Sequence, residues 1–294
     1  MTLVIEAQAA PFAVITTLEL EITGKCQLAC SHCLSESSPR ASHGSMSPED
    51  WRTVIRDAAV LGIRRLQLIG GEPTVHPYWQ DFTELALSLG LGVEVYSNLF
   101  HVRDEWWDLL TRDGVTLATS YYSDDPAEHD KITGREGSYR RTRNNIREAV
   151  TRGVAVRAGI VDVLQGQRVT EARGELIGMG VTRINTDRVR TIGRASLPGQ
   201  SPSLEEMCGK CTRGRAAVLP NGDLAGCVLS RDFPCGNVRE RRLAELLRAE
   251  EWVALSARIP ARSDGDPCNP DCNPAKDGSD CAPAEQEACD PAYE

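Results

Sequence analysis

No stretch of this 294-residue chain approaches the roughly 20 consecutive apolar residues needed to span a bilayer, and its opening, MTLVIEAQAAPF, lacks the basic start of a secretion signal. Both absences point to a cytoplasmic protein with no membrane partner. Positive charge is also in deficit, with 33 Lys and Arg against 42 Asp and Glu and a formal charge of −9, which disfavours nucleic-acid phosphates and suits a neutral or cationic ligand. No internal repeat is found beyond a βα alternation, and no cysteine occurs from 34 to 207. The eleven cysteines are therefore concentrated, three at 26–33 and eight at 208–289. In a reducing compartment, a chain of this size uses such clusters for metal rather than for disulfides.

From about 14 to 190, β-branched runs alternate with amphipathic stretches. Strands are predicted at 14–22, 64–70, 92–98, 115–122, 154–163 and 181–187, with helices of 9 to 15 residues between them. The first helix has a clear start, with Ser47 as cap, Pro48 in the first helical position, and Glu49 and Asp50 at the positive end of the dipole. The fold class is α/β, a partial (β/α)6 barrel, and ligands of such folds sit where strands end and loops begin. A first domain is expected over 1–197 and a small cysteine-rich module over 198–294, joined by PGQSPS. In that module RAAVLPNGDLAGC reads as a hairpin turning at Pro220-Asn221-Gly222-Asp223, followed by one helix over 239–259. The tail from 263 is too polar to bury a core, and metal is expected to order it.

Cys26-x3-Cys30-x2-Cys33 lies directly after the first strand. Three thiolates so spaced can hold three irons of a cubane and leave the fourth open, although CxxC spacing alone also serves zinc and redox sites. CQLACSHC resembles the signature of the radical S-adenosylmethionine superfamily, and Gly70-Gly71-Glu72-Pro73 resembles that family's GGEP segment. The resemblance implies a [4Fe-4S] cluster on the three cysteines and bound S-adenosylmethionine. It further implies that His32 contacts the adenine, that the GGEP segment binds the methionine amino group, and that the regions of Ser97, Asn98, Ser120 and Arg157 meet the ribose and methionine carboxylate. The segment 123–139 resembles a common loop of the superfamily. Its Asp124, Asp125 and Asp130 either meet a cationic substrate or form a solvated acidic loop.

Cys211-x10-Gly222-x4-Cys227 resembles the opening of SPASM and twitch modules, which implies at least one auxiliary [4Fe-4S] cluster. Cys208, Cys268, Cys272, Cys281 and Cys289 are the other candidate ligands, though the tail spacings of x3, x8 and x7 depart from the full module's pattern. Cys235, in FPCGNVRE, replaces a usually apolar position. It is read as a hydrogen donor to a substrate radical, with a buried small hydrophobe or a further ligand as the alternatives.

The resemblance extends to radical epimerases of aminoglycoside biosynthesis of the kind that turn neomycin C into neomycin B. That implies a small cationic sugar as substrate, inversion of a ring carbon, and a flavodoxin or ferredoxin as electron donor. The alternatives are a SPASM-type maturase forming a thioether, a carbon-carbon crosslink or a D-residue in a peptide, a radical sugar dehydrogenase, and a non-enzymatic iron-sulfur carrier.

Overall fold

The computed structural model describes residues 15–207 and 209–260. Its sheet begins with β1 (Thr17–Thr23), TLELEIT, in which every residue is buried although every second one is polar. Parallel strands covered on both faces are ordinarily apolar throughout. Here the alternation sends Leu18, Leu20 and Ile22 to one face and Thr17, Glu19, Glu21 and Thr23 to the other, so the two faces have different tasks.

The remaining elements follow as α1 (Pro48–Val60), β2 (Arg65–Gly70), α2 (Trp79–Ser88), β3 (Gly92–Tyr96), α3 (Trp107–Leu110), β4 (Val115–Ser120), α4 (Pro126–Thr133), α5 (Ser138–Thr151), β5 (Val156–Asp162), α6 (Val169–Gly178) and β6 (Arg183–Arg188). All six predicted strands form and pair in parallel in the order β6-β5-β4-β3-β2-β1. The apolar face is covered by helices such as α1, which buries Trp51, Val54, Ile55 and Ala58. Its start is as read from sequence: Ser47 accepts from the Asp50 amide at 3.1 Å, and the Asp50 carboxylate accepts from the Ser47 amide at 2.8 Å.

The predicted hairpin forms as β7 (Arg215–Val218) and β8 (Leu224–Ala225), with Gly222 at φ +92°, a conformation glycine adopts without strain. Its placement was not legible beforehand. β7 pairs in parallel with β1, from Thr17 opposite Arg215 to Leu20 opposite Val218, so the hairpin extends the barrel sheet. The single helix expected over 239–259 is instead two, α7 (Leu243–Leu246) and α8 (Glu250–Arg258). Leu246 and Trp252 are six residues apart, which on one straight helix points them to different sides. The break at 247–249 lets both bury.

Candidate active site

The polar face of the sheet encloses a cavity of about 370 Å³ at the C-terminal ends of the strands, lined by Cys26, Cys30 and Cys33 together with Glu19, Gln67, Gly70, Gly71 and Asn98. The cysteine loop is held on several sides. Its Ala29 and Ser31 amides donate to the last carbonyls of α4, at Thr133 and Ile132, each at 3.0 Å. The Cys26 amide donates to Ser38 at 3.1 Å, and the Arg194 guanidinium donates to the Cys30 and Ser37 carbonyls. This clamp, 161 residues from Cys33, has no local sequence signal.

The glycines of GGEP serve close backbone approach. A Cβ at Gly71 would stand 2.1 Å from the Lys25 carbonyl oxygen, and one at Gly70 would stand 2.4 Å from that of Thr23. The Gly71 and Glu72 amides donate to Thr23 at 2.7 Å and to Lys25 at 2.8 Å, which ties the end of β2 to the cysteine loop. Gly71→Ala is accordingly expected to displace this loop and to lower the iron retained after reconstitution, read by iron analysis.

The side chain of Glu72 does not line the cavity. It is fully buried and accepts from the Thr74 amide at 3.1 Å, the Thr74 hydroxyl at 2.7 Å and the Asn98 amide at 2.8 Å. Burial raises its pKa against these bonds. The carboxyl thus joins the ends of β2 and β3; the resemblance assigns the methionine amino group to the GGEP segment as a whole, and of that segment Gly70 and Gly71 line the cavity. Glu72→Gln is expected to leave the KM for S-adenosylmethionine unchanged. Glu72→Ala, which strands three buried donors, should cost about 2–4 kcal/mol in a denaturant titration.

Pro73 opens a short turn away from the cavity, and the Ser97 hydroxyl accepts from the Leu99 amide at 3.0 Å; neither lines the site. Asn98 does. Its side-chain amide donates to Cys26 Sγ at 3.5 Å, and the Leu28 amide donates to the same sulfur at 3.4 Å. Ser120 meets the Tyr96 hydroxyl at 3.2 Å. Arg157 lines the cavity too, but its guanidinium is paired to Glu94 at 2.7 Å and lies over the Tyr96 ring.

Glu94 belongs to a row that sequence reading did not single out. Glu19, Gln67 and Glu94 stand side by side on β1, β2 and β3. Glu19 pairs with Arg215 at 3.1 Å and accepts the Val228 amide, Glu21 pairs with Arg231 at 2.9 Å, and Gln67 donates to Glu94. The Arg157 guanidinium holds the Glu94 carboxyl down at about 2 despite complete burial. The signal available in the sequence was the Leu-Glu alternation of β1 itself.

The acidic loop resolves into local anchors. Asp124 pairs with Arg168 at 2.7 Å, Asp125 caps α4, and Asp130 accepts the Gly137 and Tyr139 amides and the Ser138 hydroxyl at the start of α5. Those bonds replace the cationic substrate as the partners of all three carboxylates.

The site fits a cluster and its nucleotide on three observations. The three thiols line one cavity, and Cys26 already accepts two N–H bonds of the kind that stabilise a sulfur anion. Burial, and after it the Glu72 carboxylate, pushes the Cys26 thiol well above its ordinary pKa; burial and Cys33 push Cys30 up to about 12. Such thiols ionise only against compensating positive charge, which irons supply. Finally, His32 Nδ1 is buried without a partner, its ring edge-on to Tyr122 at 5.1 Å, and burial with Arg194 lowers its pKa to about 4. Among the described residues no three His, Cys, Asp or Glu side chains gather around a single metal position. A cubane spreads its thiolates over three irons, whereas zinc needs them around one ion.

These features agree with the comparisons with known proteins. The model of the radical SAM superfamily matches residues 20–171, just over half of the chain, and that of SPASM, an iron-sulfur cluster-binding domain, matches 208–274. The chain belongs to the radical SAM superfamily. A [4Fe-4S] cluster, S-adenosylmethionine and auxiliary iron-sulfur clusters follow as its cofactors. The chain is 27% identical over 179 residues to the sporulation killing factor maturation protein SkfB of Bacillus subtilis, covering 60% of this chain and 43% of that protein. It is 28% identical over 217 residues to the PqqA peptide cyclase of Ruegeria pomeroyi, covering 72% and 52%. The chain thus spans about half the length of the curated relatives it matches. SuiB of Streptococcus suis bound to S-adenosylmethionine superposes with a TM-score of 0.69 at 15% identity over 83% of this chain and 68% of that one, which shows a shared fold.

Within the segment matched as SPASM, the hairpin brings Cys211 and Cys227 together, Cα to Cα 5.1 Å; the structure joins them as a disulfide where the sequence reading expected two metal-ligating thiolates, so the pair must be reduced before it can ligate iron, and Cys227 lines the same cavity as the first three cysteines. Cys208, Cys268, Cys272, Cys281 and Cys289 lie outside the described residues. Cys235 is a free, buried thiol away from the cavity, packed in the hydrophobic core with its Sγ toward the Phe233 and Glu251 carbonyls at 3.9 and 3.6 Å. Burial raises its pKa to about 11. Among the described residues this is the position that the buried small hydrophobe alternative expects. No helix among the described residues is long and apolar enough to cross a membrane.

His129 is a further cavity residue missed by sequence. It is 1% exposed, its Nδ1 meets the Ser138 hydroxyl at 3.1 Å, and its Nε2 has no partner. Burial lowers its pKa to about 4. Unfolded, it titrates near 6.5, so between those values the unfolded chain holds the extra proton and stability rises with pH. The contribution is complete above about 6.5 and is lost toward 4 at up to about 1.4 kcal/mol per pH unit. Denaturant midpoints measured across this window should flatten in His129→Asn.

Proposed function

We propose that this chain carries the catalytic core of a peptide-modifying radical SAM enzyme, which removes hydrogen from a carbon of a peptide so that a new bond forms there. The observation that supports the reading is the cavity joining Cys26, Cys30 and Cys33 to Cys227, which has room for a substrate between the primary site and the segment matched as SPASM. Sequence likeness to a sporulation killing factor maturase and to PqqA peptide cyclases supports a peptide as the class of substrate.

Together, cluster and S-adenosylmethionine supply a carbon-centred radical by reductive cleavage. The chain's residues do the placing. Gly70 and Gly71 let β2 close on the cysteine loop, Asn98 holds Cys26, Arg194 fixes the loop's carbonyls, and the paired charges of Glu19, Glu21 and Glu94 make a polar wall without a net free carboxylate. Those pairings count against a polycationic sugar, and the position of Cys235 counts against thiol-mediated epimerisation.

The test is incubation of reconstituted protein with S-adenosylmethionine, a reductant and peptides encoded beside the gene, in deuterated water, with mass spectrometry. A crosslink or thioether appears as loss of two hydrogens with 5′-deoxyadenosine formed in step. One deuterium gained at an inverted carbon of an aminoglycoside, with no peptide changed, would overturn the reading in favour of the epimerase.

A further inference from the structure

Asn98 stands two residues past the end of β3, and its backbone is held from two directions. Its amide donates to Glu72 Oε2 at 2.8 Å, and its carbonyl accepts the Thr142 hydroxyl of α5 at 2.8 Å. The side-chain oxygen is engaged as well, since Oδ1 accepts the Phe100 amide at 2.8 Å and the Gln27 side-chain amide at 3.3 Å. A backbone N–H is a donor only, so the Phe100 bond fixes which end of the Asn98 amide is oxygen. Nδ2 is therefore the end that faces Cys26, 3.5 Å from its Sγ. The four other bonds hold the turn after β3 in place, and this N–H is left for the sulfur.

The sulfur that receives it sits in a dry place. Cys26 is 8% exposed and packs with Leu28 and Phe100 in one small apolar cluster. Its Sγ also accepts the Leu28 amide at 3.4 Å, so two N–H groups converge on it, whereas Cys33 Sγ meets the Ser35 hydroxyl at 3.5 Å. In surroundings of low dielectric such a bond is stronger than in water. Reduction adds one negative charge to a cluster whose thiolates are already negative. A hydrogen bond to a ligand sulfur stabilises the more negative state more, and so raises the reduction potential.

We infer that Asn98 is a positioning residue that, through its N–H bond to Cys26 Sγ, raises the reduction potential of the cluster held by Cys26, Cys30 and Cys33. In the step concerned, one electron passes from a low-potential one-electron donor to the cluster, and no atom is transferred. The bond makes the cluster easier to load and less strongly reducing once loaded. This role differs from the ribose or methionine contact that the resemblance gives to the region of Asn98, because the side-chain donor is directed at a ligand sulfur. The inference rests on the three cysteines holding the cluster, and it is independent of which substrate the radical attacks.

The experiment compares the reconstituted chain with its Asn98→Leu and Asn98→Ala variants. Leucine fills the space with apolar surface, whereas alanine leaves room for a water that can take over the bond, so the pair separates loss of the donor from loss of packing. Midpoint potentials are measured by dithionite titration followed by electron paramagnetic resonance, on the cluster signal that responds to S-adenosylmethionine. Cofactor affinity is read from that response, and hyperfine spectra after exchange into deuterated water detect the exchangeable protons beside the reduced cluster. Expected are a midpoint more negative than wild type in Asn98→Leu, a smaller shift of the same sign in Asn98→Ala, loss of one exchangeable-proton coupling in Asn98→Leu, and unchanged cofactor affinity. If Asn98→Leu retains no iron, the sign of the Asn98→Ala shift decides. An unchanged midpoint would overturn the inference even where stability or iron content falls, since a structural role moves only those. An unchanged midpoint with weakened cofactor affinity would overturn it in favour of a nucleotide contact. A wild type with no cofactor-responsive signal would overturn it together with the assignment of the three cysteines.

Discussion

Cys30→Ala is expected to abolish S-adenosylmethionine cleavage while leaving the chain folded. Cys30 is half-buried at the cavity wall, and its main-chain contacts, the Arg194 clamp on its carbonyl above all, do not need the sulfur. A cubane that already leaves one iron open to the cofactor cannot lose a second protein ligand and stay site-differentiated. The 5′-deoxyadenosine signal of the reconstituted variant should fall to the protein-free background, with iron content lower by one cluster and far-UV circular dichroism unchanged. Cys235→Ala gives the contrast. Its thiol lies in the core, so cleavage and turnover should persist, with at most a small stability loss; loss of product with cleavage retained would restore it as a hydrogen donor.

The second large effect concerns stability. Arg157→Ala leaves Glu94, whose side chain is 4% exposed, without its cation, and removal of one partner of a buried pair costs about 3–5 kcal/mol. The pH dependence carries the sign. In the wild type Glu94 is held at about 2, so its pairing stabilises the fold above the ordinary carboxylate range and is lost as pH falls through 2. Without Arg157, burial favours the protonated acid, and the variant's deficit should be greatest near neutrality and shrink on acidification. Denaturant titrations of the variant and wild type at several pH values read this directly. A variant as stable as wild type but with a raised KM for S-adenosylmethionine would return Arg157 to the carboxylate contact that the family resemblance suggested.

The parts of this molecule that were legible in sequence are those with short-range causes. The six strands follow from β-branched runs, the first helix from Ser47 and Pro48, the hairpin from its Pro-Asn-Gly-Asp turn, and the cysteine loop from its spacing. What stayed hidden depends on partners distant in the chain. Nothing near Arg194 announces that it will bond the carbonyls of Cys30 and Ser37, and nothing in RAAV says that it will lie along β1. Glu72 shows the limit of a motif, since GGEP was found at the right strand end, yet the carboxyl turned inward to hold Thr74 and Asn98. The acidic loop misled for a similar reason: Asp124, Asp125 and Asp130 read as free charge until Arg168 and two helix starts claimed them. The most telling overlooked pattern was the alternation in TLELEIT, which a fully apolar parallel strand would not have shown.

The account's central claim is that Cys26, Cys30 and Cys33 hold a cluster with an iron open to S-adenosylmethionine in the cavity they line. The most direct measurement is electron paramagnetic resonance of the dithionite-reduced, reconstituted chain, titrated with S-adenosylmethionine, beside the Cys26→Ala, Cys30→Ala and Cys33→Ala triple variant. The account predicts a reduced-cluster signal that changes shape on adding the cofactor and is missing from the variant, whose remaining auxiliary signal ignores the cofactor. A wild-type spectrum indifferent to S-adenosylmethionine, or the same cofactor-responsive signal in the triple variant, would contradict it.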